Sequence, residues 1–250
     1  MKVRFSPSSV AAGLAVCIVA GTAVGAGRAG ALPTPAPAGV KGVVKFAGTP
    51  PKPMHIDMSA DPKCAQAHTG GAMTEDVVTD GKGDLENVVV YVSSGLGDAK
   101  FDPPKEPATI EQKGCMYTPH VVAMRANQQL KVVNSDSTTH NIHPSPNNNR
   151  ELNQTQPPGA PLDMTFAREE IAIPVKCNIH PWMHSYIAVF KHPFFAVTGK
   201  DGSFEIGNLP PGNYTITAWH EKLGTTMQRI TVGDSETKAL EFVFKAQPGS

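Results

Sequence analysis

Between Val40 and Phe244 the chain breaks into short runs of alternating apolar and polar residues, each cut off by glycine or proline, and long amphipathic helical repeats are absent. With 23 Gly and 23 Pro in 250 residues, such punctuation favours strands joined by turns over helices. The expected fold class is all-β. Strands are expected at 40–46, 87–92, 120–125, 129–134, 171–176 and 185–190, and then at 194–198, 203–206, 213–220, 225–232 and 239–244. A short helix-like stretch lies around Cys64, and the polar, Pro-rich segment between His143 and Ala167 reads as an extended surface connection.

One loop in this pattern carries chemistry. Cys177-Asn178-Ile179-His180-Pro181-Trp182-Met183 places a thiolate, an imidazole and a thioether between two expected strands. Soft sulfur donors beside imidazole favour copper, and two His, one Cys and a weak axial Met form an electron-transfer site. The loop lacks the second imidazole. Thr138-Thr139-His140-Asn141-Ile142-His143, just past the strand expected at 129–134, offers it as His140.

The amino terminus supports an oxidising compartment. Lys2 and Arg4 precede an apolar run at 10–20, and small residues lead to Ala29-Gly30-Ala31, which is a secretory signal pattern. The expected signal peptide spans 1–31, followed by a linker at 32–38. The apolar run is shorter than a membrane span requires, so the mature chain is expected to be soluble and periplasmic or secreted. Cys17 suggests a lipoprotein, but the bulky Val16 before it argues for removal of the whole signal. Taking Lys2, Arg4 and Arg28 from 22 basic residues leaves 19 against 22 acidic. A chain with that balance lacks the basic surface that nucleic acid requires.

Cleavage also leaves three cysteines, Cys64, Cys115 and Cys177, an odd number. The economical assignment is a Cys64–Cys115 disulfide, with Cys177 kept reduced by a metal.

The ligand loop and its upstream partner resemble cupredoxins. Cys177-x2-His180-x2-Met183 is similar to the amicyanin loop, and Asn134 to Asn141 resembles the strand end that presents the first His. That resemblance implies a Greek-key β-sandwich over 39–192, with insertions. It implies one type 1 copper ion on His140, Cys177, His180 and Met183, with Asn141 and loop amides beside the thiolate. His180 would be the solvent-facing ligand, and Pro181 and Trp182 the patch through which electrons leave. The implied role is to carry single electrons between a redox protein donor and acceptor, such as a c-type cytochrome or a dehydrogenase. No catalysis of its own is expected.

A second resemblance covers the C-terminal segment. Asp201 to Phe204 and Leu209 to Tyr214 carry the Asp-Gly-x-Phe and Leu-Pro-Pro-Gly-x-Tyr signatures of the carboxypeptidase-regulatory-like, transthyretin-like module. A smaller antiparallel β-sandwich is therefore expected over 193–247. The strand at 40–46 could belong to either sheet system.

Other readings of the same residues are available. Cys177 could be a buried structural cysteine with Met183 as core filling, and zinc could use the same Cys and His donors, though a thioether serves zinc poorly. The metal could also be cargo for storage or delivery, or the chain a structural or interaction protein with a degenerate copper site. His143 reads as a solvent or core residue and His184 as a surface residue. His55, His68, His120, His192 and His220 lack ligand spacing.

Overall fold

The computed structural model describes residues 38–246. The expected signal peptide, Cys17 and nearly all of the linker lie outside the described residues. Among the described residues no helix is long and apolar enough to cross a membrane.

The fold is all-β, with one short helix among the described residues, Pro62–Ala67. Most of its strands form two sandwiches, and His55–Ile56 pairs with Ala72–Met73 in a separate two-stranded sheet. In the first, a five-stranded sheet runs in the order Gln154–Gln156, His140–Pro144, Glu170–Lys176, His184–Phe190, Val121–Arg125. Its partner is a four-stranded sheet ordered Leu162–Thr165, Gln129–Asn134, Ala108–Lys113, Met116–Thr118. Both sheets feed one core: Ile142, Ile173, Val175 and Ile187 from the first sheet meet Ile110, Tyr117, Leu130 and Val132 from the second. Period-2 alternation sets this arrangement, since Leu130 and Val132 turn inward while Gln129 and Lys131 stay exposed.

In the second sandwich, Ser203–Gly207, Gly39–Ala47 and Thr237–Lys245 form one sheet. Phe195–Val197, Val89–Ser94, Gly212–His220 and Gly224–Val232 form the other. Val44, Phe204 and Phe242 pack against Val90, Val92 and Ile216 between them.

Two strands thus fall on the far side of the expected boundary at 192/193. Gly39–Ala47, which was open to either system, pairs with Ser203–Gly207 and Thr237–Lys245. Val89–Ser94, expected inside 39–192, pairs with Gly212–His220 and Phe195–Val197. The first sandwich is therefore inserted between strands of the second. The cause is visible in the near-continuous apolar run at 88–92. Val88, Val90 and Val92 enter the second core, while Val89 packs on the opposite face with Val121, Ala188 and Phe190 of the first sandwich. His184–Phe190 is covered on both faces for the same reason: Ile187 and Val189 face the first core, Ala188 and Phe190 the junction.

The polar connection also differs from expectation. It contains two short strands, Gln154–Gln156 and Leu162–Thr165. Gln156 is buried, and its amide donates to the carbonyls of Val132 and Ala160. Those bonds offset the cost of burying a polar side chain.

Candidate metal centre

His140 opens the strand His140–Pro144, while Cys177, His180 and Met183 occupy the loop between Glu170–Lys176 and His184–Phe190. Pairing of Lys176 with both His143 and His184 brings the ligand loop beside the strand end that carries His140. All four side chains are buried, none more than 3% exposed.

The geometry converges on one point. His140 Nδ1 and His180 Nδ1 face each other at 2.9 Å, and Cys177 Sγ lies 3.8 Å from His180 Nδ1. The donor atoms of these three residues all lie within 4.8 Å of one another. Two other groupings of nearby donors would draw on Cys64 or Cys115, but those sulfurs are bonded to each other. Met183 is anchored to the same loop, accepting from Cys177 N at 3.2 Å and donating to the His180 carbonyl at 3.0 Å.

Each imidazole is oriented from behind by a carboxylate. His140 Nε2 contacts Asp136 Oδ2 at 2.8 Å, and His180 Nε2 contacts Asp61 Oδ2 at 3.1 Å. An ionised carboxylate only accepts, so each Nε2 carries the proton and each Nδ1 keeps its lone pair. This is the arrangement by which metal-binding histidines are held and tuned. Burial, first of all, pushes the His140 pKa down despite Asp136, keeping the ring neutral. The Cys177 sulfur is provided for as well: Asn141 N and His180 N donate to Sγ at 3.3 and 3.4 Å. Asn141 also ties the two segments together, accepting from Asn178 N at 3.1 Å and donating to Asn153 at 2.8 Å. Two imidazole nitrogens and one cysteine sulfur converging in a buried site fit copper among the first-row metals.

The two carboxylates were not legible as site residues. Asp61 caps the helix Pro62–Ala67, accepting from Lys63 N at 2.8 Å and Cys64 N at 3.4 Å, and its other oxygen also accepts from Thr138 Oγ1 at 3.0 Å. Burial opposes its ionisation, but hydrogen bonds from His180, the Lys63 amide, Thr138 and the Cys64 amide outweigh that and hold its pKa at about 2. Asp136 accepts from Gly114 N at 2.6 Å and Cys115 N at 2.7 Å. Gly114 sits at φ 61°, a left-handed turn that glycine adopts freely. The Cys64–Cys115 disulfide therefore joins the segments that support the two carboxylates.

One expectation is corrected. His180 is not solvent-facing: it is 2% exposed, because Asp61 covers Nε2 and the Trp182 ring lies 5.2 Å away. Trp182 is itself half-buried and donates to the Cys115 carbonyl at 3.1 Å. The exposed tip of the loop is Asn178, Ile179 and Pro181. His143 is turned elsewhere, to Asn178 and Glu151.

Asp61→Ala is expected to weaken copper binding by about 10 to 100-fold, the usual cost of losing such a partner, and to destabilise the helix by ~1 kcal/mol. Asp61→Asn, which still caps and still accepts from Nε2, is expected to fall between. Isothermal titration with copper checks this; equal affinities in all three proteins would mean that His180 does not bind through Nδ1.

No protein-family model and no curated protein matches the sequence. Among solved structures, the chain is similar to a copper-containing nitrite reductase from Thermus scotoductus, at 19% identity and TM-score 0.33, over 39% of this chain and 25% of that one. It is similar to a purple cupredoxin from Nitrosopumilus maritimus at 21% identity and TM-score 0.29, over 33% of this chain and 98% of that one. An oxidised amicyanin variant aligns at 13% identity and TM-score 0.31, over 40% and 97%. The chain thus spans a quarter of the nitrite reductase it matches.

Proposed function

We propose that this chain is a periplasmic or secreted cupredoxin-type electron carrier, holding one type 1 copper ion on His140, Cys177 and His180 with Met183 as the axial donor. The observation that carries the reading is the pair of imidazole Nδ1 atoms 2.9 Å apart beside the Cys177 sulfur. When bound, copper would supply a one-electron couple. The chain supplies a rigid holder: two amides steady the sulfur, two carboxylates fix the rings, and a disulfide fixes the carboxylates. Restricting ligand movement keeps the reorganisation that accompanies each transfer small. The exposed Ile179 and Pro181 offer an apolar contact for a redox donor or acceptor, such as a c-type cytochrome or a dehydrogenase, with Trp182 packed behind them on His180. The chain passes the electron on rather than transforming a substrate.

Copper storage or delivery is the second reading, favoured by the covering of His180 by Asp61. Electrochemical cycling separates the two. A carrier retains its copper through repeated reversible one-electron reduction; a delivery protein loses it to a chelating acceptor on reduction. Met183→Gln is expected to leave the thiolate colour in place and lower the potential, as read by voltammetry. An unchanged potential would remove Met183 from the ligand set.

A further inference from the structure

A second cluster adjoins the ligand loop through His184, the residue after Met183. His120 immediately precedes the strand Val121–Arg125, His184 opens His184–Phe190, and Glu221 follows Gly212–His220 of the other sandwich. One donor atom from each lies within 4.8 Å of the others. The His120 and Glu221 side chains are only 2% and 3% exposed.

Hydrogen bonding leaves this cluster incomplete. His184 Nδ1 lies 3.1 Å from the Trp182 carbonyl, which can only accept, so Nδ1 carries the proton and Nε2 keeps a lone pair. His120 Nε2 contacts Glu221 Oε1, yet Glu221 Oε2 is buried without a hydrogen-bond partner, and so is His120 Nδ1. The nearest carboxylate to His120 Nδ1 is Glu75, with Oε2 at 3.6 Å, beyond hydrogen-bond range. Buried groups left this way are costly and rare.

The charges nearby do not compensate. Lys222 is paired with Asp76 at 2.9 Å. Among the described residues neither Glu75 nor Glu221 has a salt bridge to Lys or Arg. His220 is neutral at pH 7, because burial pushes its pKa down to about 4. Burial first, then the negative charge of Glu221 and a side-chain hydrogen bond to it, push the Tyr186 pKa up, so the Tyr186 hydroxyl is a further polar neighbour of this carboxylate. The contact with His120 answers one oxygen of Glu221 and leaves Oε2 without a hydrogen bond.

We propose that His120, His184 and Glu221 bind a second metal, a divalent first-row transition ion. Two imidazoles and a carboxylate are the donor set of open zinc sites and related centres. The site contains no sulfur and does not depend on the copper reading. His184 directly follows Met183, so the two donor sets leave the backbone at adjacent residues.

Zinc is the probe. After equilibration with Zn²⁺ and removal of excess, metal analysis is expected to give two ions in the native protein and one in each of Cys177→Ser, His184→Ala and Glu221→Gln. One ion in the native protein that is lost in Cys177→Ser, or two that survive in both His184→Ala and Glu221→Gln, would overturn the proposal. One ion lost in His184→Ala but kept in Cys177→Ser would support it while removing the thiolate site. Cobalt(II) on the native protein needs no variant: one equivalent should give a sulfur charge-transfer band and another only weak ligand-field bands. Sulfur bands from every bound equivalent would also overturn it.

Discussion

Cys177→Ser is expected to abolish the thiolate-to-copper absorption completely and to weaken copper binding by more than about a hundredfold, beyond the cost of losing an outer partner. The reason lies in the donor atom. Cys177 Sγ is the one free thiol among the described residues, it is 3% exposed, and two backbone amides already point at it. A serine hydroxyl is harder and is not deprotonated by a soft metal. It is also nearly isosteric, so the metal-free fold should melt close to the native temperature, which separates loss of ligation from loss of structure. Visible titration and calorimetry of the same samples check both halves.

Opening the disulfide, as Cys64→Ser with Cys115→Ser, is expected to have the largest effect on stability and a second effect on the metal. The bond spans 51 residues; a loop of that size is worth about 4 kcal/mol in the chain-entropy model, within the ~2–5 kcal/mol seen for native bridges. Both sulfurs are buried in the first core, so the serine pair also brings in two hydroxyls that need partners. The metal effect follows from position. Cys64 N is capped by Asp61, and Cys115 N is held by Asp136. Without the bridge, the two supports of His180 and His140 lose their common anchor, and copper affinity should fall by about 10 to 100-fold. Chemical denaturation and copper titration measure the two losses. A variant that loses stability but binds copper as the native protein does would show that the carboxylates are held independently of the bridge.

Legibility followed locality. The meeting of His140 with Cys177 and His180 was readable from two short motifs, one per segment, and Cys64–Cys115 because the three cysteines beyond the expected signal leave one odd. The strand at 88–92 was readable as buried, but its sheet was not, since an apolar run does not say which of two cores claims each face. Asp61 lies 119 residues from His180 in sequence, and an Asp before Pro-Lys-Cys signals a helix cap without naming the imidazole it also meets. Asp136 had a nearer sign, four residues before His140, which the turn-rich Asn134-Ser-Asp sequence obscured. His184 was read as a surface residue because a strand turns it away from Met183. That same turn brings it to His120 and Glu221, which join it only when the two sandwiches pack together.

The most direct measurement is the visible spectrum of the metal-free protein, residues 32–250, titrated with Cu(II). An intense thiolate-to-copper band that grows in proportion and reaches its plateau when one copper is bound at Cys177 is the expected result. A protein that stays colourless with Cys177 reduced and copper present in excess would contradict the assignment of His140, Cys177 and His180 as a single copper site.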